Sequence, residues 1–73
     1  DPAKAIRQVK QHYEAKALAI DEIDGISMEF TDWRFNLRMS NTEPVVRFNV
    51  ETRGDRELLE QRQNEVLAIL EAQ

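Results

Sequence analysis

Residues 33–52 read WRFNLRMSNTEPVVRFNVET, and this stretch predicts a β-hairpin. Apolar and polar residues alternate from Trp33 to Leu37 and again from Val46 to Val50. A period of two is typical of strands that bury one face and leave the other in water. Between the two segments, residues 40–42 are short and polar, which suits a tight turn. The stretch therefore predicts two antiparallel strands joined by a polar turn.

The same alternation indicates where two arginines project. If the apolar positions face a core, Arg38 and Arg47 lie on the opposite side of the sheet, one on each flank of the turn. A guanidinium group is a planar fork of donors that matches phosphate oxygens, and turn N–H groups can form a concave nest for an anion. This chemistry indicates a phosphate-binding loop. The alternative is a hairpin whose arginines extend over a solvated face, and the spacing alone leaves both open, with the plain hairpin slightly favoured.

Residues 38–44, Arg-Met-Ser-Asn-Thr-Glu-Pro, followed by Arg47, resemble the phosphate-binding signature of the α-D-phosphohexomutase superfamily. That signature reads Arg-x-Ser-(Asn or Gly)-Thr-Glu-Pro with a second Arg shortly after it. Residues 24–30, DGISMEF, and residues 33–37, WRFNL, are similar to its bacterial phosphomannomutase branch. The resemblance covers most of the chain. It implies that residues 1–73 are a single C-terminal phosphate-binding domain, the last of four, excised from a larger multidomain mutase.

The resemblance also implies a role for each motif residue. Arg38 and Arg47 would pair with phosphate oxygens. Ser40 and Thr42 would donate hydroxyl hydrogen bonds, and Asn41 would donate its side-chain amide or its backbone N–H. The implied partners are a phosphorylated hexose, either a mannose or a glucose phosphate, and the preceding domains of the same chain.

For the full-length enzyme, the resemblance implies a phosphomannomutase that interconverts mannose 6-phosphate and mannose 1-phosphate. Phosphoryl transfer would pass through a bisphosphorylated sugar, with Mg²⁺ and a phosphoserine supplied by the preceding domains. The implied cofactors of the full-length enzyme are Mg²⁺ and a bisphosphorylated hexose activator. A phosphoglucomutase or a dual-specificity mutase is the alternative. The 73 residues contain no Ser–His–acid set, no cysteine, no metal-ligand cluster and no Gly-rich phosphate loop. We therefore expect neither catalytic residues nor a cofactor in this fragment, and no activity from it alone.

Composition narrows the remaining classes of function. The net charge is −4, with 14 acidic and 10 basic side chains, which disfavours nonspecific binding to nucleic acids or membranes. A non-enzymatic interaction module or a nucleic-acid-binding module remains a remote alternative. Residues 33–50, however, contain three arginines and only one glutamate, which gives this stretch a local charge of +2. The absence of cysteine fits a reducing compartment, and no signal peptide is evident, so a cytoplasmic protein is expected.

The flanking sequence predicts the rest of the fold. Helical spacing of apolar residues predicts a helix from about Pro2 to Glu14, with Asp1 as its cap, and Asp55 is a plausible cap for a last helix. Strands are predicted within residues 17–23 and 26–31, with either a bulge or a longer turn between them. The expected fold is α+β, a four-stranded antiparallel sheet with both terminal helices on one face. The resemblance implies the same TATA-box-binding-protein-like architecture.

Overall fold

A computed structural model describes residues 2–23, 25–39 and 46–72. Its elements are α1 (Pro2–Tyr13), β1 (Ala19–Asp21), β2 (Ile26–Glu29), β3 (Trp33–Met39), β4 (Val46–Thr52) and α2 (Arg56–Glu71), with a 3₁₀ turn at Glu14–Lys16. The strands form one antiparallel sheet in the order β1-β2-β3-β4. The predicted α+β fold is confirmed. The expected helix cap at Asp1 lies outside the described residues.

The core lies between one face of the sheet and both helices. Along β3 the predicted alternation holds, because Trp33, Phe35 and Leu37 are buried. Val9 from α1 and Val66 from α2 are fully buried in the same cluster. Burying one such side chain stabilises a fold by about 1.5–3 kcal/mol. Because both helices lie on the same side of the sheet, no described helix covers the other side.

The last helix begins where the sequence predicts. The Asp55 carboxylate accepts a hydrogen bond from the Leu58 backbone N–H at 3.0 Å, which caps the first turn of α2. One residue earlier, Gly54 has φ +78°, a conformation that suits glycine, and there the chain leaves the sheet. The cap and the glycine together set the direction in which α2 crosses back over β4.

An aromatic cluster joins the two helices to the sheet. The Trp33 ring stacks on Phe30 with centroids 4.4 Å apart, and the Tyr13 ring meets Trp33 edge-on at 5.3 Å. From α2, the Arg62 guanidinium lies 5.1 Å from the Trp33 ring centroid, a distance at which the cation is attracted to the ring face. The same guanidinium forms a 3.0 Å ion pair with Glu65.

Glu65 is more buried than its position on α2 predicts. Its position on α2 predicts a solvated side chain, but the residue is half-buried and accepts a hydrogen bond from the Tyr13 hydroxyl at 3.1 Å. Burial, and then this hydrogen bond, raise the pKa of Tyr13 above its ordinary value of 10.0. A polar contact therefore connects the two helices at the edge of the core.

We expect Tyr13 to resist ionisation in the folded chain. Because its folded pKa is raised, its contribution to stability is fully present below pH 10.0 and is lost as the pH rises through the folded pKa. Tyr13 is the only tyrosine, so the ultraviolet absorbance of tyrosinate reports on it alone. Glu65→Gln removes a neighbouring negative charge and should lower the midpoint. A midpoint near the ordinary value, with circular dichroism still native, would contradict this expectation.

The first strand differs from its prediction in length and burial. It covers only residues 19–21, and four residues connect it to β2, so the longer-turn alternative is the one observed. In that connection Gly25 has φ +77°, and a Cβ at this position would overlap the carbonyl oxygen of Leu37. The turn therefore lies tightly against β3. Ile23, in contrast, is 92% exposed.

Candidate anion-binding site

The β3–β4 register places Arg38 directly opposite Arg47. The neighbouring pair, Leu37 and Phe48, faces the helices, so both arginines project from the open face, as the alternation predicts. Both are exposed. Residues directly opposite each other on antiparallel strands have Cβ atoms about 4.5–5.5 Å apart. The register therefore brings the bases of two cationic side chains within reach of one small ligand.

Opposed like charges are unusual in a sheet because they repel and weaken the pairing. An anion bound between two guanidinium groups would remove this repulsion. Each guanidinium offers five N–H donors in a fixed plane, and the fork matches two oxygens of a phosphate. The pair is therefore better suited to holding a multiply charged oxyanion than to supporting the sheet.

The connection between these strands, residues 40–45, lies outside the described residues. The predicted hydroxyl and amide donors, Ser40, Asn41 and Thr42, are therefore known here only by sequence. The last strand residue before the turn, Met39, pairs with the first one after it, Val46. The structure thus brings together both flanks of the motif, including Arg38 and Arg47.

Arg34 forms an ion pair, which changes the local charge predicted for residues 33–50. Its guanidinium bonds the Glu51 carboxylate on β4, with Nη2 at 2.7 Å and Nε at 2.9 Å. This hydrogen bond, together with the attraction between the charges, raises the pKa of Arg34. Glu51 lies one residue beyond the stretch whose charge was summed as +2. Counting strand positions outward from the turn would have placed it opposite Arg34. Glu51 therefore balances Arg34, and including Glu51 lowers the formal charge of residues 33–51 from +2 to +1.

A shallow depression of about 510 Å³ lies farther along the open face. At its centre the Asn36 amide donates to the Ser27 hydroxyl at 2.9 Å, and Asn49 lies opposite Asn36. The lining residues include neither Arg38 nor Arg47, and their three carboxylates, those of Asp21, Glu29 and Glu51, outnumber their one arginine, Arg34. Because carboxylates repel an anion, we place the candidate site at the arginine pair and not in this depression.

A metal cluster and a membrane-spanning helix are both absent from residues 2–23, 25–39 and 46–72. In these ranges no three His, Cys, Asp or Glu side chains group closely enough to hold a metal ion. Neither described helix has the length and hydropathy needed to cross a bilayer.

Comparison with known proteins adds to this geometry. The family model for the C-terminal domain of phosphoglucomutase/phosphomannomutase matches residues 1–69. The chain belongs to this family. A phosphomannomutase from Escherichia coli K12 is 61% identical over 69 residues, which cover 94% of this chain and 15% of that protein.

More distant family members give matches of similar extent. Phosphohexose mutases from Xanthomonas campestris are 51% identical over 96% of this chain and 16% of their own. A phosphomannomutase from the archaeon Methanocaldococcus jannaschii is 37% identical over 82% of this chain and 13% of its own. The chain thus spans about 15% of the length of the curated relatives that it matches.

Proposed function

We propose that this domain holds the phosphate group of a phosphorylated hexose in a phosphomannomutase. The observation that carries the proposal is the cross-strand pair of Arg38 and Arg47 on the open face of the sheet. Ser40, Asn41 and Thr42 complete the binding set in the proposal, because their hydroxyl and amide groups follow Arg38 directly in the chain. Family membership supports the proposal, since a mutase must hold a phosphate ester while it acts on the sugar.

The proposed enzyme interconverts mannose 6-phosphate and mannose 1-phosphate through a bisphosphorylated sugar. Such an enzyme has one phosphate that reacts and one that must be held in place. A charge-assisted hydrogen bond contributes about 1.5–3 kcal/mol, so several at the second phosphate position the sugar for transfer. They also favour closure of this domain over the substrate, which excludes water from the reaction.

The family description names both phosphoglucomutase and phosphomannomutase, so a glucose phosphate is the second candidate substrate. The arginine pair recognises the phosphate, which both sugars carry, and so does not distinguish the epimers. In the proposal, sugar selection belongs to the remainder of the longer enzyme. In the proposal, Mg²⁺ is also held by the remainder of the longer enzyme.

A nuclear magnetic resonance titration of the 73-residue chain tests the binding role. Mannose 1-phosphate and inorganic phosphate should both shift the amide signals of residues 38–47, whereas mannose without phosphate should not. Arg47→Gln should weaken binding about tenfold or more, because it removes a charged donor pair but keeps a long polar side chain. Arg7→Ala is the matched control, since Arg7 is an exposed arginine on α1. Shifts confined to the helices, or equal responses to mannose and its phosphate, would refute the proposal.

A further inference from the structure

The edge strand β1 and its flanks expose three large apolar side chains, and we refer to Leu18, Ile20 and Ile23 as the β1 strip. Their exposed fractions are 69%, 40% and 92%. Three large apolar side chains within six residues, all open to water, form the kind of patch that marks an interaction surface.

The β1 strip is exposed because the helix layer does not extend over it. Ile20 pairs with Met28, so the two side chains share the helix face of the sheet, yet Met28 is only 1% exposed. The principal contacts of α1 with the sheet are to β3, and those of α2 are to β4. None of the three strip residues belongs to the buried core cluster. The helix face of β1 thus continues the core surface of the sheet, but the principal helix contacts do not reach it.

Acidic groups border the β1 strip. The Asp21 carboxylate accepts a hydrogen bond from the Ile23 backbone N–H at 2.9 Å, which orders the turn that carries Ile23. Glu22 forms a 3.1 Å ion pair with Lys10 on α1. Because Lys10 balances the charge of Glu22, the strip and its border favour an apolar partner surface.

The β1 strip ends close to the candidate phosphate site. A Cβ at Gly25, two residues after Ile23, would lie 3.0 Å from the Cα of Arg38. The connection after β1 therefore lies at the same end of the sheet as Arg38, although the helix face that carries Ile20 is opposite to the face from which Arg38 projects.

We infer that the β1 strip packs against a preceding domain of the same longer chain, through an apolar surface. The inference rests on the proposed function, which takes these residues as the C-terminal part of a mutase. The relatives are long enough to supply such a body, since this chain covers only 15% of their length. A tethered neighbour has a high effective concentration, so a small contact suffices. A stable contact between separate chains buries about 1,200 Å² or more of surface, and three side chains supply much less buried area.

Thiol labelling of the full-length enzyme tests this inference. Ile23→Cys and Ala68→Cys are each treated with a maleimide, and labelling is followed on the corresponding peptide so that other cysteines do not interfere. Ala68 is the matched control because it is exposed on α2, which packs against β4, the strand farthest from β1. We expect Ile23→Cys to react at least about tenfold more slowly than Ala68→Cys, because a docked neighbour must open before the reagent can enter.

Equal labelling rates at the two cysteines would overturn the inference. Slow labelling that becomes faster on dilution would also overturn it, because it would assign the strip to a second copy of the enzyme. Repeating the measurement with Arg47→Gln separates this inference from the proposed function. Loss of phosphate binding with protection of Ile23→Cys retained supports the strip as a docking surface. Rapid labelling of Ile23→Cys in an enzyme that still binds phosphate would refute the docking inference and leave the proposed function standing.

Discussion

Replacement of Gly25 by alanine is expected to destabilise the domain by about 3 kcal/mol or more. At φ +77° an L-residue is strained, and the added Cβ would overlap the Leu37 carbonyl oxygen. That oxygen belongs to the backbone of β3, so it cannot move without disturbing the pairing of Ile26 with Leu37. A loss of this size is a large fraction of the stability of a small domain. Urea unfolding followed by circular dichroism measures it.

Gly54→Ala is the matched control for this prediction. Gly54 has nearly the same angle, φ +78°, but a Cβ there would have no atom within 4 Å. Only the backbone strain should remain, about 1–2 kcal/mol. The difference between the two variants isolates the steric overlap at Gly25. Equal losses in the two variants would show that the turn after β1 does not lie tightly against β3.

In the full-length parent enzyme, Arg38→Ala and Arg47→Ala should each lower kcat/KM by about 10- to 100-fold. The range follows from losing one charge-assisted interaction of about 1.5–3 kcal/mol with the phosphate. The fractional loss should be the same with mannose 1-phosphate and glucose 1-phosphate, because both present the same phosphate group. Steady-state kinetics with the two substrates measure it.

Two controls accompany the kinetic measurement. Arg7→Ala, which removes an exposed arginine from α1, should leave kcat/KM unchanged. Arg47→Gln should change the free energy of unfolding of the unliganded domain by no more than about 0.5 kcal/mol, because Arg47 is exposed and faces another cation across the sheet. Wild-type activity in either Arg38→Ala or Arg47→Ala would remove that residue from the proposed site. A loss confined to one sugar would point to a role in epimer selection instead.

The positions of Arg38 and Arg47 can be predicted from the sequence, because two simple rules about the geometry of strands and hairpins are sufficient. Side chains alternate along a strand, so Arg38 must lie opposite to Leu37 in direction. A hairpin brings residues at equal distances from its turn together, so Arg38 meets Arg47. Both rules are local and do not depend on the remainder of the fold. The same locality explains why Asp55 is predictable as a helix cap.

Features that depend on three-dimensional packing were not predictable in the same way. The burial of Glu65 depends on where Tyr13 reaches α2, which helical periodicity within α2 does not report. The exposure of Ile20 depends on how far the helix layer extends over the sheet, and an apolar side chain looks the same in sequence whether or not it is covered. Turn chemistry at residues 40–42 stays a prediction, since those residues lie outside the part of the chain that the structure describes.

The aromatic cluster at Trp33 gives the domain an internal optical probe. Trp33 is the only tryptophan, it is 5% exposed, and its indole will change its fluorescence when the helices separate from the sheet. It pairs with Thr52 at the end of β3 opposite to the turn, six residues from Met39, or about 20 Å along the strand. A ligand at the turn is too distant to quench the indole by contact. Emission therefore reports unfolding, and a separate signal at the turn reports binding, in the same sample.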